Sequence, residues 1–159
     1  MGWRVWTVDE TGERPLLSSL VYSERWPVRQ ELTAVCRVGE SATLPRSRSL
    51  PAHVAPHVRC SCGIHAARRL EHAVAYLRAG LEGSHDGLLR VLGCVRLWGS
   101  VVEAERGWRA SRAYPARIFL PTGLDERLES LAFGLAAYGV PIELLDCPND
   151  PAVIEASLS

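Results

Sequence analysis

The feature that most constrains this chain is a long stretch without apolar periodicity that has cysteines on both sides. Residues 39–59 are rich in Ser, Pro and Arg and show neither the helical nor the strand repeat. Cys36 precedes this stretch, and Cys60 and Cys62 follow it. A loop of this length is uncommon inside a domain unless something anchors it. We therefore expect an irregular insertion at about 36–65 that is anchored near its ends.

The cysteines and histidines of this insertion have the chemistry of a zinc site. Structural zinc takes four ligands in a tetrahedron, commonly thiolates with one or more imidazoles. Gly63, directly after the cysteine pair, allows the backbone to turn so that its amides face the sulfurs. Three cysteines and one of two histidines make a set of four: Cys36, Cys60 and Cys62, with His53 or His57. The ligand requirement predicts a structural zinc and leaves the histidine open between two positions.

Other interpretations of these residues remain open. The cysteines could be buried thiols and the histidines solvated loop residues. Cys60 and Cys62 could form a redox dithiol beside Arg59, although the usual redox motif is CxxC. A catalytic zinc needs an open coordination position and a nearby general base. Because neither the HxE motif of nucleoside deaminases nor an HExxH motif is present, a structural metal is favoured over a catalytic one.

Composition excludes several classes of protein. A length of 159 residues suits a single domain, 1–159. All eighteen basic residues are arginine, so a lysine Schiff base is excluded. Eighteen acidic residues balance them, which argues against binding nucleic acid through bulk charge.

The same composition favours a soluble intracellular protein. No apolar run approaches the roughly 20 residues that cross a bilayer, and no secretory signal is evident, so we expect a cytoplasmic protein without a membrane partner. In that compartment five cysteines are ligands or buried thiols more often than disulfides.

Apolar periodicity predicts strands and helices on both sides of the insertion. Strands are predicted at 2–8, 16–22, 32–38, 116–120 and 140–145, with one long bent strand or two strands at 88–105. Helices are predicted at 70–81 and 124–138, with a short helix after residue 150 as a further possibility. This order favours an α+β fold with a mixed or antiparallel sheet. A small barrel is an alternative form of that sheet.

A second concentration of unusual residues lies in WGSVVEAERGWRASRAYP. Gly107 interrupts the strand pattern and predicts a loop that carries Trp108, Arg109, Arg112 and Tyr114. Aromatic faces beside guanidinium groups suit a nucleotide or a single-stranded nucleic acid. The alternative is that the aromatic residues are core or rim side chains and that the arginines form ion pairs.

Glu103 and Glu105 precede that segment and would share one face of an extended strand. Either could be the general base of a zinc-dependent or carboxylate-dependent enzyme. More often such residues form a solvated strand face or pair with nearby arginines, here Arg109 and Arg112. We therefore favour a small binding or regulatory domain with a structural zinc, and keep the enzyme as the alternative.

The segments HVAPHVRCSCGIHA and WGSVVEAERGWRASRAYP resemble a group of uncharacterised bacterial proteins. Those proteins share the pattern HxAPxxxCxCGxxA followed by WGxVxExxxGWRAxxAYP. The resemblance covers residues 53–66 and 98–115 and implies that both segments belong to one kind of domain. It implies no activity, but it favours His53 over His57, and it makes His65 a poor ligand because a tyrosine is expected there.

Overall fold

The computed structural model describes residues 1–37, 53–83, 88–122, 124 and 126–145. The strands, in chain order, are β1 Gly2–Asp9, β2 Leu16–Ser19, β3 Leu32–Thr33, β4 Ile64–Ala67, β5 Arg90–Ala104, β6 Gly107–Pro121 and β7 Ile142–Leu145. The helices are α1 Leu70–Gly83 and α2 Glu126–Leu135, and a 3₁₀ turn at Ala136–Tyr138 follows α2. All described strands belong to one mixed sheet, so the predicted α+β fold with two main helices is confirmed.

Two strands, β1 and β6, organise the sheet. β1 pairs with β2, β4 and β5, whereas β6 pairs with β3, β4, β5 and β7. Only the β6–β7 pairing is parallel among those described. The pairings of β1, β5, β6 and β4 close a ring, but its β1–β4 side is a single residue pair, Trp3 with Ala67. We therefore describe a ring of strands and not a barrel.

Alternation along β1 explains why both faces of the sheet are covered. Val5 belongs to an apolar cluster with α1, which includes Leu70, Val74 and Leu77. The next residue, Trp6, belongs to a second cluster that contains Leu131, Leu135 and Tyr138 from α2 and its 3₁₀ turn. Successive side chains of a strand point to opposite faces, so β1 supplies the core on both sides. No helix in the described part of the chain is long and apolar enough to cross a membrane.

The long hairpin of β5 and β6 corrects one prediction and confirms another. The predicted strand at 88–105 is the bent β5, whose register with β6 shifts between Cys94 and Val95 and between Trp98 and Val101. The loop predicted after Gly107 is wrong, because β6 begins there and the turn lies at residues 105–106. The predicted strand at 116–120 is only the end of β6. The buried positions of its first half hold Gly, Ala and Pro, which give no apolar repeat.

Other boundaries also differ from the prediction. The strands predicted at 16–22 and 32–38 end early, at Ser19 and Thr33, so Cys36 lies beyond β3. β4 was not predicted, because it falls within the end of the insertion. The helices and β7 confirm the predictions at 70–81, 124–138 and 140–145. The middle of the insertion, residues 38–52, and the possible helix after residue 150 lie outside the described residues.

Candidate metal centre

The structure brings together four predicted ligands from the two sides of the insertion. The ligand atoms of Cys36, His53, Cys60 and Cys62 all lie within 4.8 Å of one another. The sulfurs of Cys36 and Cys60 are 3.8 Å apart, and the Cys62 sulfur is 3.4 Å from Nε2 of His53. For tetrahedral zinc, bond lengths of about 2.3 Å to sulfur and about 2.0 Å to nitrogen imply S···S and S···N separations of about 3.8 and about 3.5 Å. The two measured distances therefore fit opposite edges of a zinc tetrahedron.

The surroundings of the sulfurs are largely apolar. Cys60 and Cys62 are only 9% and 7% exposed and pack with the buried Ala55. Ala34 and Cys36 are partly buried and pack against this group. Cys36 and His53 are also partly buried, so solvent reaches the cluster mainly from their side. Such burial limits exchange of ligands with water.

Gly63 determines how the chain leaves the cysteine pair. Its φ of 117° is in the region that favours glycine. An added Cβ would also lie 2.9 Å from the Cβ of Pro56 and 3.2 Å from the Cβ of Arg109. The chain thus turns at Gly63 directly into β4, which begins at Ile64. The turn predicted for this glycine is confirmed.

Backbone amides and neighbouring side chains set the ionisation of the thiols. Burial raises the pKa of Cys60, but hydrogen bonds from the amide and side chain of Cys62, and from His53 and Cys36, outweigh it and bring the pKa to about 7. Burial raises the pKa of Cys62 to about 11, and Cys60 and Cys36 add to this increase. The thiols therefore interact as one group in which one ionises at the expense of another. A bound cation would stabilise all of them as thiolates.

Arg109 holds the segment that carries the cysteine pair. It lies on β6 opposite His65 of β4. Its Nη1 donates hydrogen bonds to the backbone carbonyls of His57, Cys60 and Cys62, with distances of 3.3 Å to His57 and 2.9 Å to Cys62. A single guanidinium group thus forms hydrogen bonds to three backbone carbonyls of the segment that carries the ligands. Sequence reasoning assigned Arg109 to ligand recognition and missed this role, which depends on the register of β4 and β6.

The other two histidines of the insertion lie outside the set of four. Nδ1 of His57 accepts a hydrogen bond from the Arg59 amide at 3.2 Å, and its ring lies 4.7 Å from that of His53. His65 is exposed, and its Nε2 lies 2.8 Å from the Ser61 carbonyl oxygen. Of the two histidines that the ligand requirement left open, His53 is the one whose ring nitrogen lies within the cluster of four.

The four predicted recognition residues lie along β6 and already have partners. The guanidinium of Arg68 lies 5.1 Å from the centre of the Trp108 ring. Arg112 forms an ion pair with Glu31 at 3.4 Å. The hydroxyl of Tyr114 accepts a hydrogen bond from the Arg29 amide at 2.7 Å and donates one to the Tyr138 carbonyl at 2.9 Å. Recognition of a nucleotide or a single-stranded nucleic acid by these residues stays a prediction.

The two glutamates proposed as general bases in the alternative enzyme hypothesis, Glu103 and Glu105, lie in different parts of the hairpin. Glu103 is on β5 and forms an ion pair with Arg68. Glu105 lies in the hairpin turn and not on a strand, so the two do not share a strand face. Among the described residues, neither Arg109 nor Arg112 pairs with them, which corrects the ion pairs expected there.

Comparison of the chain with family models, curated proteins and solved structures found no match.

Proposed function

We propose that this chain is a small binding domain whose insertion is closed by a structural zinc held by Cys36, His53, Cys60 and Cys62. The observation that carries the proposal is the convergence of these four ligand atoms within 4.8 Å. Three thiolates and an imidazole are a preferred zinc set. Two segments separated by residues 37–52 meet at this point, so the metal would hold the two sides of the insertion together.

A structural role is favoured because all four positions of a tetrahedron are filled by protein atoms. A catalytic zinc keeps one position for water or substrate. No carboxylate belongs to the cluster found among the described residues. Glu103, one of the two candidate bases of the alternative hypothesis, forms an ion pair with Arg68. Three thiolates and Zn²⁺ would give the centre one net negative charge. The hydrogen bonds of Arg109 to the nearby carbonyls place a positive charge beside it.

Elemental analysis of purified protein tests the metal directly. We expect about one zinc per chain in the wild type, since a single four-ligand cluster is present in the described residues. Cys60→Ser should lose the zinc and unfold at a lower temperature, because the loop is then no longer closed. Cys94→Ser is the matched control, since Cys94 is a free cysteine on β5 outside the cluster. Zinc-free wild-type protein prepared without chelator, or full zinc in Cys60→Ser, would contradict the proposal.

A further inference from the structure

A cavity of about 370 Å³ lies beside the metal centre. Its walls are mostly apolar and come from β1, the turn after β2, β4 and α1, with Trp3, Leu20, Ile64, Ala66, Ala73 and Tyr76 among them. Cys62 and Gly63 also line it, so the proposed metal centre forms part of one wall. This volume is within the range of pockets that bind small organic molecules, about 300–1,000 Å³.

Three charged residues line this cavity, Arg4, Glu24 and Arg37, and the guanidinium of Arg4 has only neutral partners. Nη1 donates to the His65 carbonyl, and Nη2 donates to the Ser19 hydroxyl at 3.2 Å. The guanidinium also lies 5.0 Å from the centre of the Trp26 ring. Its Nε is buried and has no hydrogen-bond partner within the part of the chain that the structure describes. All of these partners are neutral, so none of them balances the charge of Arg4.

The nearby carboxylate is already engaged by another arginine. Glu24 lines the cavity, but its Oε1 accepts a hydrogen bond from Nη2 of Arg37 at 2.8 Å. Among the described residues no carboxylate forms an ion pair with Arg4. Burial lowers the pKa of Arg4 to about 10, and Glu24 opposes this only in part. The arginine remains charged at neutral pH, so the cavity has one surplus positive charge.

We infer that this cavity binds a small, largely apolar organic acid whose carboxylate faces the Arg4 guanidinium. A buried charge without a partner is costly, and an anion at this position would offset that cost. The single surplus charge favours a monoanion over a phosphate dianion, and the apolar walls favour a hydrophobic body. The inference rests on the binding role proposed above and gives that role a site and a class of ligand.

A pair of isosteric probes separates charge from shape. 2-Naphthoate carries the carboxylate, whereas 2-naphthamide has the same ring system without the charge. Binding of each to the full chain is measured by calorimetry and by NMR of the tryptophan indoles. We expect 2-naphthoate to bind at least about tenfold more tightly, since a hydrogen bond to a charged group contributes about 1.5–3 kcal/mol.

Two cavity variants should change the affinity in opposite directions. Arg4→Met keeps the apolar stem of the side chain. It should weaken the binding of 2-naphthoate by at least about tenfold and leave the binding of 2-naphthamide unchanged. Glu24→Gln frees Arg37 from its ion pair and should increase the affinity for 2-naphthoate by about two- to fivefold. Arg96→Met, at an exposed position of β5 that does not line the cavity, is the charge-matched control and should bind both probes like the wild type.

Zinc is quantified in every sample, so the two proposals can fail separately. Equal affinity for the two probes, or no binding of either at millimolar concentration by zinc-loaded protein, would overturn the cavity inference and leave the metal site intact. Charge-selective binding by wild-type protein that contains no zinc would overturn the metal proposal and keep the cavity.

Discussion

Nη1 of Arg109 donates a hydrogen bond to the backbone carbonyl of Cys62 at 2.9 Å. This bond fastens the segment before β4 to the start of β6. It therefore couples the candidate metal centre to the largest hairpin of the sheet.

Arg109→Ala should weaken zinc binding, because three carbonyls of the ligand-bearing segment lose their shared donor. We expect at least about a tenfold loss of zinc affinity, the range found for groups that orient metal ligands. Competition with a chromophoric chelator measures it. Arg112→Ala is the control on the same strand, since Arg112 pairs with Glu31, whereas the hydrogen bonds to the carbonyls of His57, Cys60 and Cys62 come from Arg109. Equal zinc affinity in both variants would show that Arg109 does not position the site.

Gly63→Ala should destabilise the turn between the cysteine pair and β4. The backbone φ of 117° and the close approach to Pro56 both oppose a Cβ. We expect the free energy of unfolding to fall by about 1–3 kcal/mol in zinc-loaded protein, as measured by denaturant titration. Gly12→Ala is the control, because its added Cβ would meet no atom closer than 3.9 Å. The control should stay within about 0.5 kcal/mol of the wild type. A Gly63 variant as stable as the Gly12 variant would contradict this account of the turn.

Tyr138→Phe should weaken the packing of α2 and its 3₁₀ turn against the sheet. The hydroxyl of Tyr138 donates to the Trp26 carbonyl at 2.7 Å and accepts from the Leu17 amide at 3.0 Å, and the residue is only 2% exposed. Removing the hydroxyl leaves two buried backbone groups without this partner, which costs about 1–3 kcal/mol. Thermal unfolding measures the loss. Tyr22→Phe, at a residue that is 45% exposed, should change the melting temperature little, and an equal change in both would refute the prediction.

The stability contributed by Asp9 should depend on pH. Hydrogen bonds from the side chain and amide of Thr11 and from Arg25 lower the pKa of Asp9 from 3.8 to about 2. The unfolded chain therefore binds more protons than the folded protein between these values, so this contribution is present above about pH 4 and is lost as the pH falls towards 2. Asp9→Asn should reduce stability at pH 6 and differ less from the wild type near pH 2.

The matched control is Glu13→Gln, at an exposed residue of the same turn. Denaturant unfolding of the three proteins as a function of pH provides the comparison. An Asp9→Asn deficit that is constant from pH 6 to pH 2 would show that the ionised carboxylate is not the stabilising form.

The metal set could be predicted because its requirement is chemical and local. Cys60, Cys62 and Gly63 are adjacent, and Cys36 is the cysteine on the other side of a stretch that needs an anchor. Ligand chemistry could not decide between His53 and His57, since both precede the cysteine pair on the same segment. The decision depends on how that segment turns, which is a tertiary property.

The roles of Arg4 and Arg109 could not be predicted in the same way. Arg109 meets the ligand-bearing segment because of its register opposite His65, and strand register is a tertiary property. Arg4 lies on a correctly predicted strand, but its partners Ser19 and His65 come from β2 and the unpredicted β4. Residues 107–115 were predicted as a loop because their buried positions hold Gly, Ala and Pro, which give no apolar repeat.

X-ray absorption at the zinc edge on purified wild-type protein tests the central claim most directly. The account predicts a four-coordinate zinc with three sulfur neighbours at about 2.3 Å and one nitrogen neighbour at about 2.0 Å. Cys36, Cys60 and Cys62 supply the sulfurs and His53 the nitrogen. A spectrum with fewer sulfur neighbours and an oxygen in the first shell would contradict a closed structural site, and a sample without zinc would contradict the metal centre as a whole.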